Sequence, residues 1–227
     1  MQYAILLRSR KSIATFGKIA NMELQKLFSD LMIRIGFPME TAAIRWNELE
    51  KAYSHKSRKY HNLKHLEEMI ACFHIYNKEL TFPDEVLYAI FYHDYVYKSS
   101  KKDNELKSAQ YAVKIIPSDC NTINNERVFN LIMATKDHHG NENSDQKWLI
   151  DFDLKILAKE WEDYTVYVNQ IREEYSIYPD FLYKPGRRKA MEHFLENDFI
   201  YQTDTFRTLY EAKARENIET EIKLLIQ

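Results

Sequence analysis

The sequence predicts an all-α fold, a single compact bundle of about ten helices, and three observations support this prediction. Apolar residues recur at three- and four-residue spacing along most of the chain. No segment shows the sustained apolar–polar alternation between turns that an antiparallel sheet requires. The four glycines and five prolines are few, and they separate the periodic segments at roughly even intervals.

The predicted helices follow one another with short connections. They cover residues 22–35, 39–55, 63–79, 84–98, 104–116, 125–138, 147–158, 160–177, 187–197 and 204–226. Residues that commonly cap helix N-termini precede three of them, namely Asn62, Asp103 and Thr203. Residues 1–21 are interpreted as an N-terminal extension, and residues 22–227 as one domain.

Composition narrows the class of function. With 227 residues, 45 % of them hydrophobic, the chain can fill a core, and its net charge of −2 gives no overall basic field for nucleic acid or an anionic membrane. Cys72 and Cys120 are too few and too far apart to form a disulfide framework. No signal peptide and no apolar run of ~20 residues is visible. We therefore expect a cytoplasmic protein with no membrane partner, and a homo-oligomer is compatible with the sequence.

The third predicted helix places two histidines on one flank. Its apolar stripe consists of Leu63, Leu66, Ile70 and Phe73. His65 lies beside this stripe, and His61 lies one turn earlier on the same flank. A single flanking histidine is most often a hydrogen-bonded surface residue. Two histidines at this spacing indicate that both bind a metal, or that one binds while the other acts beside it.

The fourth predicted helix carries a carboxylate within its apolar arc. Asp94 falls among Leu87, Ile90 and Phe91, and His93 lies at the edge of that arc. A buried carboxylate must be paired, hydrogen-bonded or bound to a metal, because leaving it unpaired costs several kcal/mol. A buried Asp–Arg pair is the commoner arrangement, but the preceding histidine favours a metal.

The later helices add further candidates. His138 and His139 end an apolar face, where they could also complement the helix dipole. Asp151 and Asp153 flank opposite sides of the Ile150, Leu154 and Leu157 stripe, and periodicity does not choose between them. Imidazole and carboxylate ligands from well-separated helices suit Mn, Fe, Co, Ni or Zn, and Mg less well. This wide spacing is not that of a structural zinc loop.

The ordered pattern of a histidine, a His-Asp pair and a later aspartate resembles the HD superfamily of metal-dependent phosphohydrolases, specifically an uncharacterised bacterial branch. These are all-helical proteins with metal ligands on several helices. The likeness extends in order over roughly residues 40–220. It includes RKYHNLKH (58–65), FYHDYVY (91–97), DNELKSA (103–109), IMAT (132–135), IREEY (171–175), GR (186–187) and AREN (214–217).

The resemblance implies that four residues bind the metal: His65, His93, Asp94 and Asp153. Asp153 is preferred to Asp151 because the last aspartate of the family is usually followed by an aliphatic residue. The first motif is also similar to that of cyclic nucleotide phosphodiesterases, which implies that His61 is the general acid. Their nucleotide-clamping glutamine is not identifiable here, so cyclic nucleotides are not favoured.

Further residues are candidates for contact with the substrate or a second metal: Arg58, Glu105, His138 and His139. A general acid must hold its proton, so a carboxylate is expected to support His61, with Glu105 or Asp137 as the candidates.

The implied function is a metal-dependent phosphohydrolase. One or two divalent ions would lower the pKa of bound water and supply hydroxide for attack on a small phosphorylated substrate, a nucleotide or a phosphomonoester. A di-iron oxygenase and a non-catalytic metal- or ligand-binding module are the alternatives. The hydrolase ranks first because the chain keeps the whole expected set, the four ligands together with His61.

Overall fold

A computed structural model describes residues 10–138 and 144–226, with side chains described from residue 21 onward. Over these residues the chain forms ten α-helices, two short 3₁₀ turns and no strand, which confirms the predicted all-α fold. The helices are α1 (Arg10–Arg34), α2 (Met39–Tyr53), α3 (Leu63–Tyr76), α4 (Pro83–Tyr92), α5 (Asn104–Ile115), α6 (Asn125–Asp137), α7 (Ser144–Leu154), α8 (Trp161–Glu174), α9 (Asp180–Glu196) and α10 (Asp204–Ile226). The 3₁₀ turns are Asn77–Glu79 and Lys155–Ala158.

Helices α1 and α9 begin far before their predicted starts. Helix α1 starts at Arg10, so the expected boundary after residue 21 falls inside it. Helix α9 starts at Asp180 and contains Pro185, so the predicted start at residue 187 is wrong. Pro185 has no backbone N–H, so the carbonyl of Phe181 lacks its usual helical donor. Because Phe181 is 75 % exposed, that end of the helix lies open to water.

Helix α4 ends at Tyr92, although the predicted helix continued to residue 98. Side chains from elsewhere satisfy the backbone beyond this point. Arg58 donates from its guanidinium to the carbonyl oxygens of Asp94 at 2.7 Å and Tyr95 at 2.8 Å. Ser108 Oγ accepts the amide N–H of Val96 at 3.0 Å. These bonds replace the helical ones, so the chain turns away directly after the helix.

Helix α4 lies at the centre of the bundle. It contacts α1, α3, α5, α6 and α7, and every residue from Glu85 to Tyr92 is buried. Aromatic rings fill the space beside it: the ring centroids of Phe28 and Phe91 are 5.0 Å apart in an edge-to-face pair. The residues that follow α4 are therefore held in the protein interior.

Hydrogen bonds and an ion pair join the C-terminal helices to the rest of the bundle. Asn217 on α10 donates to the carbonyl oxygens of Leu157 and Lys159, both at 2.8 Å. Arg187 on α9 pairs with Glu221 on α10, with Nε and Oε1 2.7 Å apart. The turn that follows α7 is thereby held in place. Within the described ranges, none of the helices combines the length and apolar character needed to cross a bilayer.

Candidate metal centre

Three side chains from separate parts of the chain bring potential ligand atoms to one point. His65 comes from α3, His93 from the end of α4 and Asp153 from α7, and their ligand atoms all lie within 4.8 Å of one another. His65 Nε2 is 3.1 Å from Asp153 Oδ1 and 3.3 Å from His93 Nε2. Both histidines are buried. This is the geometry of side chains that can share one cation.

The start of α3 orients His65. Asn62 is the N-cap, and its side-chain oxygen accepts the Lys64 amide at 2.8 Å. Leu66, next in the chain, is fully buried and fixes the inward face of the helix. Tyr60 packs against the imidazole of His65 with ring centroids 4.8 Å apart. The predicted cap and stripe therefore direct His65 inward.

His93 is the C-cap residue of α4, and its orientation is set by the helix it ends. Its Nδ1 lies 2.9 Å from the carbonyl oxygen of Ile90, so Nδ1–H donates to that carbonyl and Nε2 faces the centre. Burial lowers the pKa of His93, but the carboxylates of Asp94 and Asp153 outweigh it and raise the pKa to about 9. The field that holds this proton also attracts a metal cation.

Asp94 stands at the edge of this cluster. Its Oδ2 lies 3.2 Å from His93 Nε2 and 4.0 Å from His61 Nε2. Burial raises the pKa of Asp94, but the charges of these two histidines hold it well below its usual value. The prediction placed Asp94 inside a helix, but it follows the end of α4, because Arg58 binds its carbonyl oxygen. The structure brings His65, His93 and Asp153 to one point and places Asp94 beside His93.

Asp151 and Asp153 have different environments. Asp151 is fully buried and accepts hydrogen bonds from the Gln202 amide, the Thr203 amide and the Thr203 hydroxyl, so it connects α7 to the start of α10. Asp153 faces the cluster. Burial raises its pKa, but His138 and His65 hold it well below the usual range. The structure places Asp153, and not Asp151, beside the histidines.

His61 precedes α3 and is held by a carboxylate from α8. Its Nδ1 lies 2.6 Å from Glu174 Oε2, and its ring stacks on Tyr97 at 4.1 Å between centroids. Burial lowers the pKa of His61, but the charges of Asp94 and Glu174 and the hydrogen bond to Glu174 raise it above its ordinary value. These surroundings stabilise the protonated imidazole, and its Nε2 lies on the side of Asp94.

Glu174 is the functional residue that sequence reasoning missed. Its Oε1 accepts the amide N–H groups of Lys59, Tyr60 and His61 at 2.7, 2.9 and 3.1 Å. Tyr97 donates its hydroxyl to Oε2 at 2.8 Å. Burial raises the pKa of Glu174, but the bonds from His61, Tyr97 and the backbone lower it to about 2. The carboxylate bonded to His61 was expected to be Glu105 or Asp137, and in the structure it is Glu174.

A signal for Glu174 was present in the sequence. The buried residues of α8 are Tyr164, Tyr167, Ile171 and Glu174, which follow three-, four- and three-residue steps. A carboxylate that continues an apolar stripe should be bonded or functional. The same test that singled out Asp94 would have distinguished Glu174 from its exposed neighbour Glu173.

Arg58, a candidate for contact with the substrate, lies in the interior beside the centre. Its side chain is buried, packs against Tyr53 and Tyr97, and donates to the carbonyl oxygens of His61, Asp94 and Tyr95. The guanidinium is thus hydrogen-bonded to the backbone of two segments, the one before α3 and the one after α4. Arg58 therefore positions the segments that carry the site.

The other candidates border the centre. His138 ends α6 in a left-handed conformation with φ of 52°, and its Nε2 is 3.5 Å from Asp153 Oδ2. Glu105 lines a cavity of about 390 Å³ together with His93 and Asp94. Burial raises the pKa of Glu105. His139 lies outside the described residues.

A second, larger cavity adjoins the centre. It has a volume of about 550 Å³, and His61, His138 and Asp153 form part of its wall. The possible general acid and one possible ligand therefore face the same space. A small organic molecule fits a cavity of this size, because such sites typically measure ~300–1,000 Å³.

The donor set fits a divalent transition-metal ion. Two imidazole Nε2 atoms and a carboxylate oxygen of Asp153 converge, Asp94 lies beside His93, and the outer nitrogen of His93 is already bonded to a carbonyl. Mixed nitrogen and oxygen ligands of this kind suit Mn, Fe, Co, Ni or Zn. Comparisons of the chain with protein-family models, curated proteins and solved structures found no match.

Proposed function

We propose that this protein is a metal-dependent phosphohydrolase that cleaves a phosphoester of a small substrate. One observation carries the proposal: the possible ligands His65, His93, Asp94 and Asp153 adjoin His61, which is hydrogen-bonded to Glu174 at the wall of a substrate-sized cavity. A divalent ion held by these four residues would supply Lewis acidity and lower the pKa of a water molecule.

His61 provides the proton that the reaction needs. Water, which gives up a proton to solvent, attacks phosphorus, the bond from phosphorus to the leaving oxygen breaks, and that oxygen retains the electron pair. Nε2 of His61 lies on the side of Asp94, and His61 lines the larger cavity, so Nε2–H donates its proton to the leaving oxygen. Glu174 holds Nδ1–H on the other side of the ring and stabilises the cation before transfer. Solvent then reprotonates the imidazole.

The surroundings suit an anionic substrate. Lys101 and Lys102 lie on the loop after α4, are exposed, and border both cavities. Their positive charges would attract a phosphate towards the centre and offset its repulsion by the carboxylates. Both cysteines are free, which is consistent with the cytoplasmic location that we propose.

Metal analysis of the purified protein, combined with a phosphatase screen, tests the proposal. We expect bound transition metal and hydrolysis of phosphomonoesters in the presence of Mn²⁺. Asp94→Ala should lose metal and activity together, whereas His61→Ala should keep the metal and slow turnover. Full metal occupancy in Asp94→Ala would contradict the ligand assignment, and loss of metal in His61→Ala would make His61 a ligand. Two irons with oxygen consumption would favour the di-iron oxygenase.

A further inference from the structure

Beyond the metal centre, the larger cavity continues between α8, α9 and the Lys155–Ala158 turn. We call this part the aromatic cavity. Its wall is mainly aromatic and aliphatic, and the residues that matter here are Tyr167, Tyr175, Tyr178, Tyr183, Leu157 and Met191. Such a wall favours flat apolar surface and disfavours a ligand whose hydroxyl groups need hydrogen bonds. The phosphate end of a substrate faces His61, so the aromatic cavity must receive the other end.

A partly satisfied arginine lies in this wall. Arg187 donates from Nε and Nη2 to Glu221, and Nη2 also lies 3.2 Å from the Tyr167 hydroxyl. Its Nη1 has no hydrogen-bond partner among the described residues, although the side chain is only 9 % exposed. The charge of Arg187 is balanced by Glu221, so Nη1 offers a hydrogen-bond donor rather than an unpaired charge.

Two tyrosine hydroxyls in the same wall also lack partners. The oxygens of Tyr60 and Tyr183 are buried and make no hydrogen bond within the described part of the chain. Because both oxygens are inaccessible even to water, they do not meet a ligand in the cavity. The cavity therefore combines apolar faces with the unfilled donor Nη1 of Arg187.

We propose that the aromatic cavity binds the organic part of the substrate, and that this part is a planar heteroaromatic ring whose hydrogen-bond acceptors face Arg187. The inference rests on the proposed function, because the phosphate end is assigned from the metal centre. A ring of this kind stacks on the tyrosines and accepts from Nη1 of Arg187. A polyol phosphate would instead place its hydroxyls against Leu157 and Met191.

Three substrates that share a primary alcohol leaving group test the proposal with the Mn²⁺-loaded protein. They are adenosine 5′-monophosphate, ribose 5-phosphate and benzyl phosphate. We expect kcat/KM for adenosine 5′-monophosphate to exceed that for ribose 5-phosphate by about tenfold or more, because a stacked ring contributes ~1–3 kcal/mol. Equal values for these two substrates would overturn the inference. Benzyl phosphate should be intermediate, and if it equals the nucleotide, acceptor recognition by Arg187 is wrong.

Gly186 allows the cavity to be filled without disturbing the core. It lines the cavity, and a Cβ added there meets no atom within 4 Å. Gly186→Leu should lower the ratio of kcat/KM for adenosine 5′-monophosphate to that for ribose 5-phosphate about tenfold. The control, Lys189→Leu, adds the same side chain to an exposed position of α9 outside the cavity wall. An unchanged ratio in Gly186→Leu would contradict the placement of the ring.

Arg187→Lys separates recognition by Nη1 from the ion pair with Glu221. The lysine keeps a positive charge beside Glu221 but removes the free guanidinium donor, so we expect a loss with adenosine 5′-monophosphate and little change with benzyl phosphate. Equal losses with both would assign Arg187 a structural role only. Equilibrium dialysis separates the two proposals: tighter binding of the nucleotide than of ribose 5-phosphate, without hydrolysis of either, would support the cavity and refute the phosphohydrolase.

Discussion

His61 Nδ1 lies 2.6 Å from Glu174 Oε2, and this contact joins a loop before α3 to the last residue of α8. The same carboxylate accepts three backbone N–H groups from residues 59–61. Glu174 thus fixes both the position and the charge of the imidazole. On the other side of the ring, Nε2 faces Asp94 at 4.0 Å. The proposed proton donor is held between a supporting carboxylate and the metal centre.

The first prediction concerns the dependence of hydrolysis on the leaving group. In Glu174→Gln the amide no longer stabilises a positive imidazole, so turnover of phenyl phosphate should fall by about 10- to 100-fold. His61→Ala should cost more, ~10²- to 10⁴-fold, which is typical for loss of a general acid. Turnover of 4-nitrophenyl phosphate should fall much less, because 4-nitrophenolate departs without needing a proton. Steady-state kinetics on both esters measures the difference.

The control for this experiment is the neighbouring Glu173→Gln. Glu173 is exposed and pairs only loosely with Lys59, at 3.6 Å. Glu173→Gln should therefore leave the turnover of phenyl phosphate and of 4-nitrophenyl phosphate unchanged. If Glu174→Gln and His61→Ala slow the two esters equally, these residues do not protonate the leaving group.

The second prediction concerns stability and pH. The pKa of Glu174 is about 2 in the folded protein and ordinarily about 4.5, so the unfolded chain binds more protons between these values. The stabilisation from this carboxylate is therefore complete above pH ~4.5 and is lost as the pH falls towards 2, by about 3 kcal/mol in total. Urea unfolding of the protein and of Glu174→Gln, from pH 7 to pH 3, should show a difference that shrinks on acidification. A difference independent of pH would contradict the assignment.

Helical patterns singled out part of the cluster, and the family resemblance supplied the rest of the proposed ligand set. Asp94 was recognised as a carboxylate within an apolar arc and His65 as a histidine beside an apolar stripe, and both are buried. Helix periodicity is local, so a single segment is enough to reveal such residues. The support for His61 was not found in the same way, because its partner lies 113 positions away in the chain.

The end of α4 was mispredicted for a related reason. Residues 84–98 suggest one continuous helix, and nothing inside that segment ends it. The groups that end it, Arg58 and Ser108, come from distant segments and take the backbone bonds that a longer helix would use. Competition between local and tertiary hydrogen bonds is not visible in one segment.

The third prediction tests whether Arg58 positions the centre. Arg58→Met removes the hydrogen bonds to the carbonyl oxygens of His61, Asp94 and Tyr95. Loss of bonds that orient ligands typically weakens metal binding by ~10- to 100-fold. We expect such a loss together with a decrease of about 2–4 kcal/mol in the free energy of unfolding. Metal titration and urea unfolding measure the two effects.

Lys59→Met is the matched control, because Lys59 is adjacent, cationic and largely exposed. It should change stability by less than ~0.5 kcal/mol and leave metal affinity unaltered. A rise in KM as the sole effect of Arg58→Met would restore Arg58 as a substrate contact.

The fourth prediction separates the two aspartates of α7. Asp153→Asn should lose bound metal, because it removes an anionic ligand beside His65 and His93. Asp151→Asn should retain metal but unfold more readily, by about 1–3 kcal/mol, since Asp151 accepts three hydrogen bonds from Gln202 and Thr203. Elemental analysis after dialysis and urea unfolding of both variants give the comparison. If Asp151→Asn loses the metal while Asp153→Asn keeps it, the assignment of the last ligand is reversed.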